Sequence, residues 1–150
     1  MRPIRTFVLA LALLPITCIA VIFTGAAVTA GPTSRIVSQF NYTNNANVPV
    51  TYTFRGSLSA SGAYNPMNNL STNFTSAPVI GGPSGTSTYG HDSDGNPTIT
   101  LNPGDRAQGS VTTQGTPYSA DPGTVVTGQS TVSANNQGGF ADTAMTAAEI

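Results

Sequence analysis

Oxygen-bearing side chains alternate in Asp92-Ser93-Asp94-Gly95-Asn96. That spacing lets a loop wrap carboxylate and amide oxygens (Asp92, Asp94, Asn96) around one calcium ion. Pro97 stands where such a loop needs a glycine, and Pro103 where it needs the closing bidentate glutamate. The ligand set is therefore incomplete, and the competing expectation is a tight turn at Asp94-Gly95. Hydrolysis by a nucleophile needs a base held between the attacking group and a carboxylate. His91 is the one histidine, and no serine stands in a Gly-x-Ser-x-Gly turn. Cys18, the one cysteine, lies in the N-terminal apolar run. Asp94, Asp105 and Asp121 each neighbour a glycine or a Pro-Gly pair, where aspartate serves the local backbone. The reading is a non-enzymatic protein with no cofactor.

Recognition chemistry is carried by Tyr89, His91 and Tyr118, all in Gly/Pro-rich surroundings. A loop tyrosine offers contact area at low entropy cost. Asn41, Asn69 and Asn73 head Asn-x-Ser/Thr sequons, acceptors if the host glycosylates exported chains. Lysine is absent and the net charge is −1, so no basic stripe can neutralise phosphates and nucleic acid is not an expected partner.

The elements that position these residues follow from periodicity. Ile36, Ser38, Phe40 and Tyr42 alternate, and after Thr43-Asn-Asn-Ala-Asn47 so do Val48, Val50, Tyr52 and Phe54. Alternation puts one face on a core and the other in water, which predicts two strands and, across the short Asn-rich link, a hairpin. Pro49 cannot donate to a ladder and places the second strand at an edge or at its own start. Thr98–Leu101, Ala107–Thr113 and Thr124–Ala134 are further strands, bounded by Asn102-Pro-Gly-Asp105 and Asp121-Pro-Gly123 turns. Residues 78–97 are expected as one long loop and 141–150 as a flexible tail. Many short strands with frequent turns indicate a small all-β sandwich over residues 31–140. The stretch Asn47–Phe54, followed by Ile99-Thr-Leu-Asn-Pro-Gly104 and a strand, is similar to what many immunoglobulin-like surface domains show. The resemblance implies an Ig-like, Greek-key architecture.

The N-terminus reads as a targeting segment. Arg2 and Arg5 precede an apolar run from Phe7 to Phe23, and Val28 and Ala30 stand at −3 and −1 of a small-residue cleavage site. Residues 1–30 are therefore expected as a secretory signal peptide with a hydrophobic helix. The alternative is an uncleaved anchor across residues 7–30, the chain's only expected membrane contact. Thr17 before Cys18 fits a lipoprotein box poorly. The chain from Gly31 onward carries three arginines against six acids and no cysteine.

Few charges mean little repulsion between copies, and a strand edge with few guarding charges invites pairing. The expected function is an exported cell-surface or extracellular structural or adhesive protein. It would self-associate through the edge Val48, Val50, Tyr52 and Phe54, with itself or a surface protein or glycan as partner. The alternatives are a secreted monomeric binding module or inhibitor using loop 78–97, and an envelope protein anchored by residues 7–30.

Overall fold

The structure, a computed structural model, describes residues 19–27, 33–135 and 144–149. Its strands are β1 (Ile19–Ala27), β2 (Ser34–Thr43), β3 (Val50–Ala60), β4 (Met67–Phe74), β5 (Val79–Gly81), β6 (Thr88–His91), β7 (Pro97–Leu101), β8 (Arg106–Pro117), β9 (Val126–Ala134) and β10 (Ala144–Glu149). They form two antiparallel sheets, ordered β1-β9-β3-β7-β6 and β10-β2-β8-β4, with β5 paired to β8. The protein is an all-β fold of two sheets with the core between them.

Alternation accounts for the main strands. Ile36, Ser38, Phe40 and Tyr42 on β2, and Val50, Tyr52 and Phe54 on β3, are all buried. Phe40 and Phe54 meet with ring centroids 4.8 Å apart, and Tyr42 stacks on Tyr52 at 4.8 Å and 6°. Burial pushes the Tyr52 hydroxyl up to about 12, and burial followed by the neighbouring Tyr52 raises Tyr42 further.

Among the described residues, two apolar clusters fill the core. The larger joins these aromatics to Ile99, Leu101, Val111 and Val132, and the smaller joins Ile36, Leu58 and Val126. Between them runs a belt of small or hydroxylated inward residues: Ser38 on β2, Gly56 on β3, Thr113 on β8 and Ser130 on β9. Gly56 is required there, because a Cβ would overlap the Thr113 side chain and lie 2.6 Å from its Cβ.

Several sequence expectations change. β2 and β3 are not a hairpin: β2 pairs with β8 and β10, while β3 pairs with β9 and β7. Both inner faces are apolar, and placing them in opposite sheets lets them cover each other. Residues 78–97 are not one irregular loop, since they contain β5 and β6. β4 was not expected at all. Its sequence, Met-Asn-Asn-Leu-Ser-Thr-Asn-Phe, has no apolar alternation, and a bulge at Asn69-Leu70 puts two residues opposite Gly115. Asn69 adopts φ 53°, a conformation asparagine tolerates.

The ends differ as well. Ile19–Ala27, expected within a hydrophobic helix, is a strand paired with β9 over nine residues. Ile19, Val21, Ile22 and Thr24 are β-branched, and the β9 edge supplies the hydrogen-bond partners. Ala144–Glu149, expected as flexible tail, is a strand on β2. The expected cleavage site around Ala30, apart from residues 19–27, lies outside the described residues. Among the described residues no helix is long and apolar enough to cross a membrane.

Candidate functional site

Three links meet at one end of the sandwich: 44–49 between β2 and β3, 82–87 between β5 and β6, and the turn 102–105 between β7 and β8. Asn44 joins the first to the third. Its side-chain amide donates to the carbonyls of Val48 and Leu101, both at 2.8 Å, and its Oδ1 accepts the Ala46 N–H. The Asn44 N–H donates to the Asp105 carbonyl, and the Gly104 N–H donates back to the Asn44 carbonyl. Asn44 is completely buried, so each of its polar groups needs these partners.

Asp105 joins the second link to the third. Oδ1 accepts the Ser84 N–H at 3.0 Å, and Oδ2 accepts the hydroxyls of Ser84 and, at 2.5 Å, Ser87. Asn102 closes the cluster by donating from its backbone to Ser87 Oγ and from its side chain to Thr86 Oγ1. Gly82, at φ 135°, lies so close that an added Cβ would stand 2.7 Å from the Asp105 Cα. The Ser84 hydroxyl, the Ser84 amide and the Ser87 hydroxyl, in that order, hold the Asp105 carboxyl below its ordinary range. A carboxylate already accepting three donors is a poor base, and its geometry suits pinning a loop.

The depressed Asp105 value fixes the sign of a pH effect. The carboxyl is less acidic in the unfolded chain, so its stabilisation is complete above about pH 4 and is lost as pH falls through the folded value. Asp105→Asn removes the charge and turns a donor toward Ser84 and Ser87. We expect its melting temperature at pH 7 to fall by roughly 5–10 °C. The gap to the parent protein should narrow below about pH 4. Parallel thermal melts at pH 7 and pH 3 check this, and an equal gap at both would contradict it.

The calcium candidates occupy the β6–β7 turn. Asp92 Oδ1 accepts the N–H groups of Asp94 and Asn96 at 2.9 and 2.8 Å, and the Asn96 side-chain amide donates to Oδ2 at 3.0 Å. The Asp92 N–H donates to the Asn96 carbonyl, and Gly95 takes φ 82°. These bonds, led by the Asn96 side chain, lower the Asp92 value, and Arg55 at 3.7 Å adds a smaller effect. The carboxylate that would lead the calcium set thus organises a turn and faces a guanidinium, while Asp94 is exposed. Among the described residues no group of three or more His, Cys, Asp or Glu is placed to share a metal ion.

Tyr89 is half exposed on β6, its ring edge-on to Phe74 at 5.9 Å. His91 ends the same strand, opposite Pro97. Tyr118 is 71% exposed just beyond β8, where its N–H donates to the Pro66 carbonyl. Phe74 and Met67 are the two ends of β4, and Met67 pairs with Pro117 beside Tyr118. Tyr89 and Tyr118 are therefore about a strand length apart and make no common site. Asn41, Asn69 and Asn73 are all exposed.

The expected self-association edge is not an edge. β7 pairs with Val50–Thr53 on one side and β9 with Tyr52–Ala60 on the other, and Val50, Tyr52 and Phe54 are buried. Val48 precedes the strand and is 41% exposed. The strand is too apolar on its inner face, and too central in the core, to be left at a rim. Pro49 falls just before its start.

A shallow groove of about 550 Å³ lies against β2, β8 and the link before β5. Gln39, Asn41, Ser76, Gln108 and Ser110 line it with amides and hydroxyls, and Val79 adds an exposed apolar rim. Sequence reasoning missed this groove and the Asn44–Asp105 junction. The Asn-rich link and Asn102-Pro-Gly-Asp105 were visible as turns, but nothing in them showed that the two turns bond to each other. No protein-family model matches the chain, and neither a curated protein nor a solved structure matches it.

Proposed function

We propose that the chain is an exported, non-enzymatic subunit of a cell-surface or extracellular structure, structural or adhesive in role, that associates with copies of itself. Residues 1–30 are the secretory leader in this reading, removed after Ala30. The observation that carries it is the outer face of the first sheet. Its rows are Thr51, Thr53, Ser57 and Ser59 on β3, and Thr127, Gln129, Thr131 and Ser133 on β9. Arg55 is the one charge among these rows, and Asp92 lies beside it. Such a surface has little electrostatic repulsion to keep copies apart. The finer architecture in this proposal is a Greek-key, immunoglobulin-like sandwich, supported by the chain's changes of sheet at the links β2–β3, β3–β4, β5–β6, β7–β8 and β8–β9.

The test is to produce the whole gene product in an exporting host, determine its N-terminus by mass spectrometry, and follow its mass by sedimentation over a concentration series. An exported chain starting at Gly31 whose mass grows with concentration is expected. A strictly monomeric species would overturn self-association, and a chain retained with residues 7–30 intact would overturn export by cleavage.

The amide-lined groove favours a second reading, a secreted monomeric binding module with a glycan or peptide partner. Amides and hydroxyls with one apolar rim suit neutral polar ligands. Gln108→Ala should then abolish capture on a glycan array while leaving the melting temperature unchanged. Loop deletion from Gly81 to Gly90 is unsuitable as a test, because it removes β6 and the serines that hold Asp105.

A further inference from the structure

We propose that, once the leader has gone, β9 is the seam of a symmetric dimer in which two copies of this chain pair antiparallel about Ser130. The inference rests on the exported, cleaved state proposed above. β1 (Ile19–Ala27) lies wholly inside the expected leader, and it covers the whole outer edge of β9, from Ala134 opposite Ile19 to Val126 opposite Ala27. Removing residues 1–30 uncovers nine residues of strand edge beside the end of the core that holds Ile36, Leu58 and Val126. Natural edges are guarded by charges, prolines or bulges. Val126–Ala134 carries none of these, and its sequence is Val-Thr-Gly-Gln-Ser-Thr-Val-Ser-Ala.

The edge fits itself. Val126, Gly128, Ser130, Val132 and Ala134 are buried and face inward, while Thr127, Gln129, Thr131 and Ser133 face outward. Pairing centred on Ser130 matches Val126 with Ala134, Gly128 with Val132 and Gln129 with Thr131. Inward residues then meet inward residues in both copies, so each continues the other's sheet and core without turning a side chain to the wrong face.

A second observation points to the same centre. Among the described residues, the Ser130 hydroxyl is buried and has no hydrogen-bond partner, and neither do those of Ser34 and Ser38 on β2 of the facing sheet. With β1 in place, the residue opposite Ser130 is Phe23, which has no hydroxyl to offer. In the symmetric pair the residue opposite Ser130 is Ser130 of the second copy. Directly opposed Cβ atoms lie about 4.5–5.5 Å apart, within reach of a bond between the two hydroxyls. An isologous seam of this kind closes on itself and gives a dimer, with the outer hydroxyl faces left for further assembly.

Ser130→Cys in the exported chain tests the centre, because Cys18 leaves with the leader and position 130 then carries the only thiol. The spacing of opposed residues suits a disulfide. We expect a covalent dimer on a non-reducing gel from Ser130→Cys and none from Thr127→Cys, whose copies would lie about 20 Å apart across the same seam. Equal cross-linking of the two variants, or none of Ser130→Cys, overturns the proposal. Gln129→Lys and Gln129→Glu provide an independent readout at an outward position. Each alone should weaken association at least tenfold, and an equal mixture should restore it. Association indifferent to both overturns the β9 seam but leaves self-association standing. A wild-type monomer at every concentration removes both, and a cleaved-leader assay showing residues 19–27 still on β9 overturns the seam alone.

Discussion

Replacing Gly56 with alanine is expected to destabilise the sandwich by about 3 kcal/mol, the upper end of what one extra methyl group costs in a packed core. Gly56 sits in the belt between the two apolar clusters, where the Thr113 side chain of β8 comes up against the β3 backbone. The new methyl would lie 2.6 Å from the Thr113 Cβ and 2.8 Å from its Cγ2. The Thr113 Cβ is fixed to its backbone, so rotating the side chain clears Oγ1, the nearest atom, but leaves the 2.6 Å overlap with Cβ in place. Relief requires the sheets to separate, which loosens both clusters. Thr113 is itself completely buried and shares a hydrogen bond with Thr72 on β4 at 3.0 Å. Pushing it aside would therefore disturb a third strand. Urea unfolding of Gly56→Ala, Thr113→Gly and the double variant checks the argument. The double variant should be more stable than the sum of the single losses by more than about 1 kcal/mol, since the methyl then occupies vacated space. Strict additivity would show that the contact is not what makes Gly56 necessary.

The second large effect is at Asn44. Asn44→Leu keeps the branched heavy-atom skeleton, with bulkier methyl groups, and removes every side-chain hydrogen bond, leaving the Leu101 and Val48 carbonyls and the Ala46 N–H without their Asn44 partner. A buried group deprived of its partner costs about 1–3 kcal/mol, and the groups here act together, so a loss of about 3–5 kcal/mol is expected. Asn44→Asp keeps the acceptor for Ala46 but aims carboxylate oxygens at two carbonyls, and should be no better than leucine at pH 7. Chemical denaturation measures both. Retained stability in Asn44→Leu would show that the junction tolerates an apolar plug and that the backbone bonds to Gly104 and Asp105 suffice. Amide exchange should show the accompanying local change, with faster exchange in 44–49 and 102–105 than in β8.

The two variants probe different parts of the sequence's information. Alternation at Ile36–Tyr42 and Val50–Phe54 determined which residues face inward, because a strand's period of two leaves only one arrangement that buries the apolar set. The Asn102-Pro-Gly-Asp105 and Asp94-Gly95 turns were equally legible, since proline fixes φ and glycine accepts a positive one wherever they stand. Tertiary structure decided the partners. Pairing is a long-range choice, and β2 and β3, neighbours in sequence, went to opposite sheets because each has an apolar face that the other can cover. β4, β5 and β6 carry no alternating apolar pattern, and they are strands because β8 and β7 offer them open edges. The same reason explains the junction of Asn44 with Asp105 and the close approach at Gly56. A buried amide and a missing Cβ are ordinary residues in a sequence, and become necessary only where another segment is brought against them. For β9 the sequence displayed a strand free of charge and proline, and the fold put that strand beside residues expected to be removed.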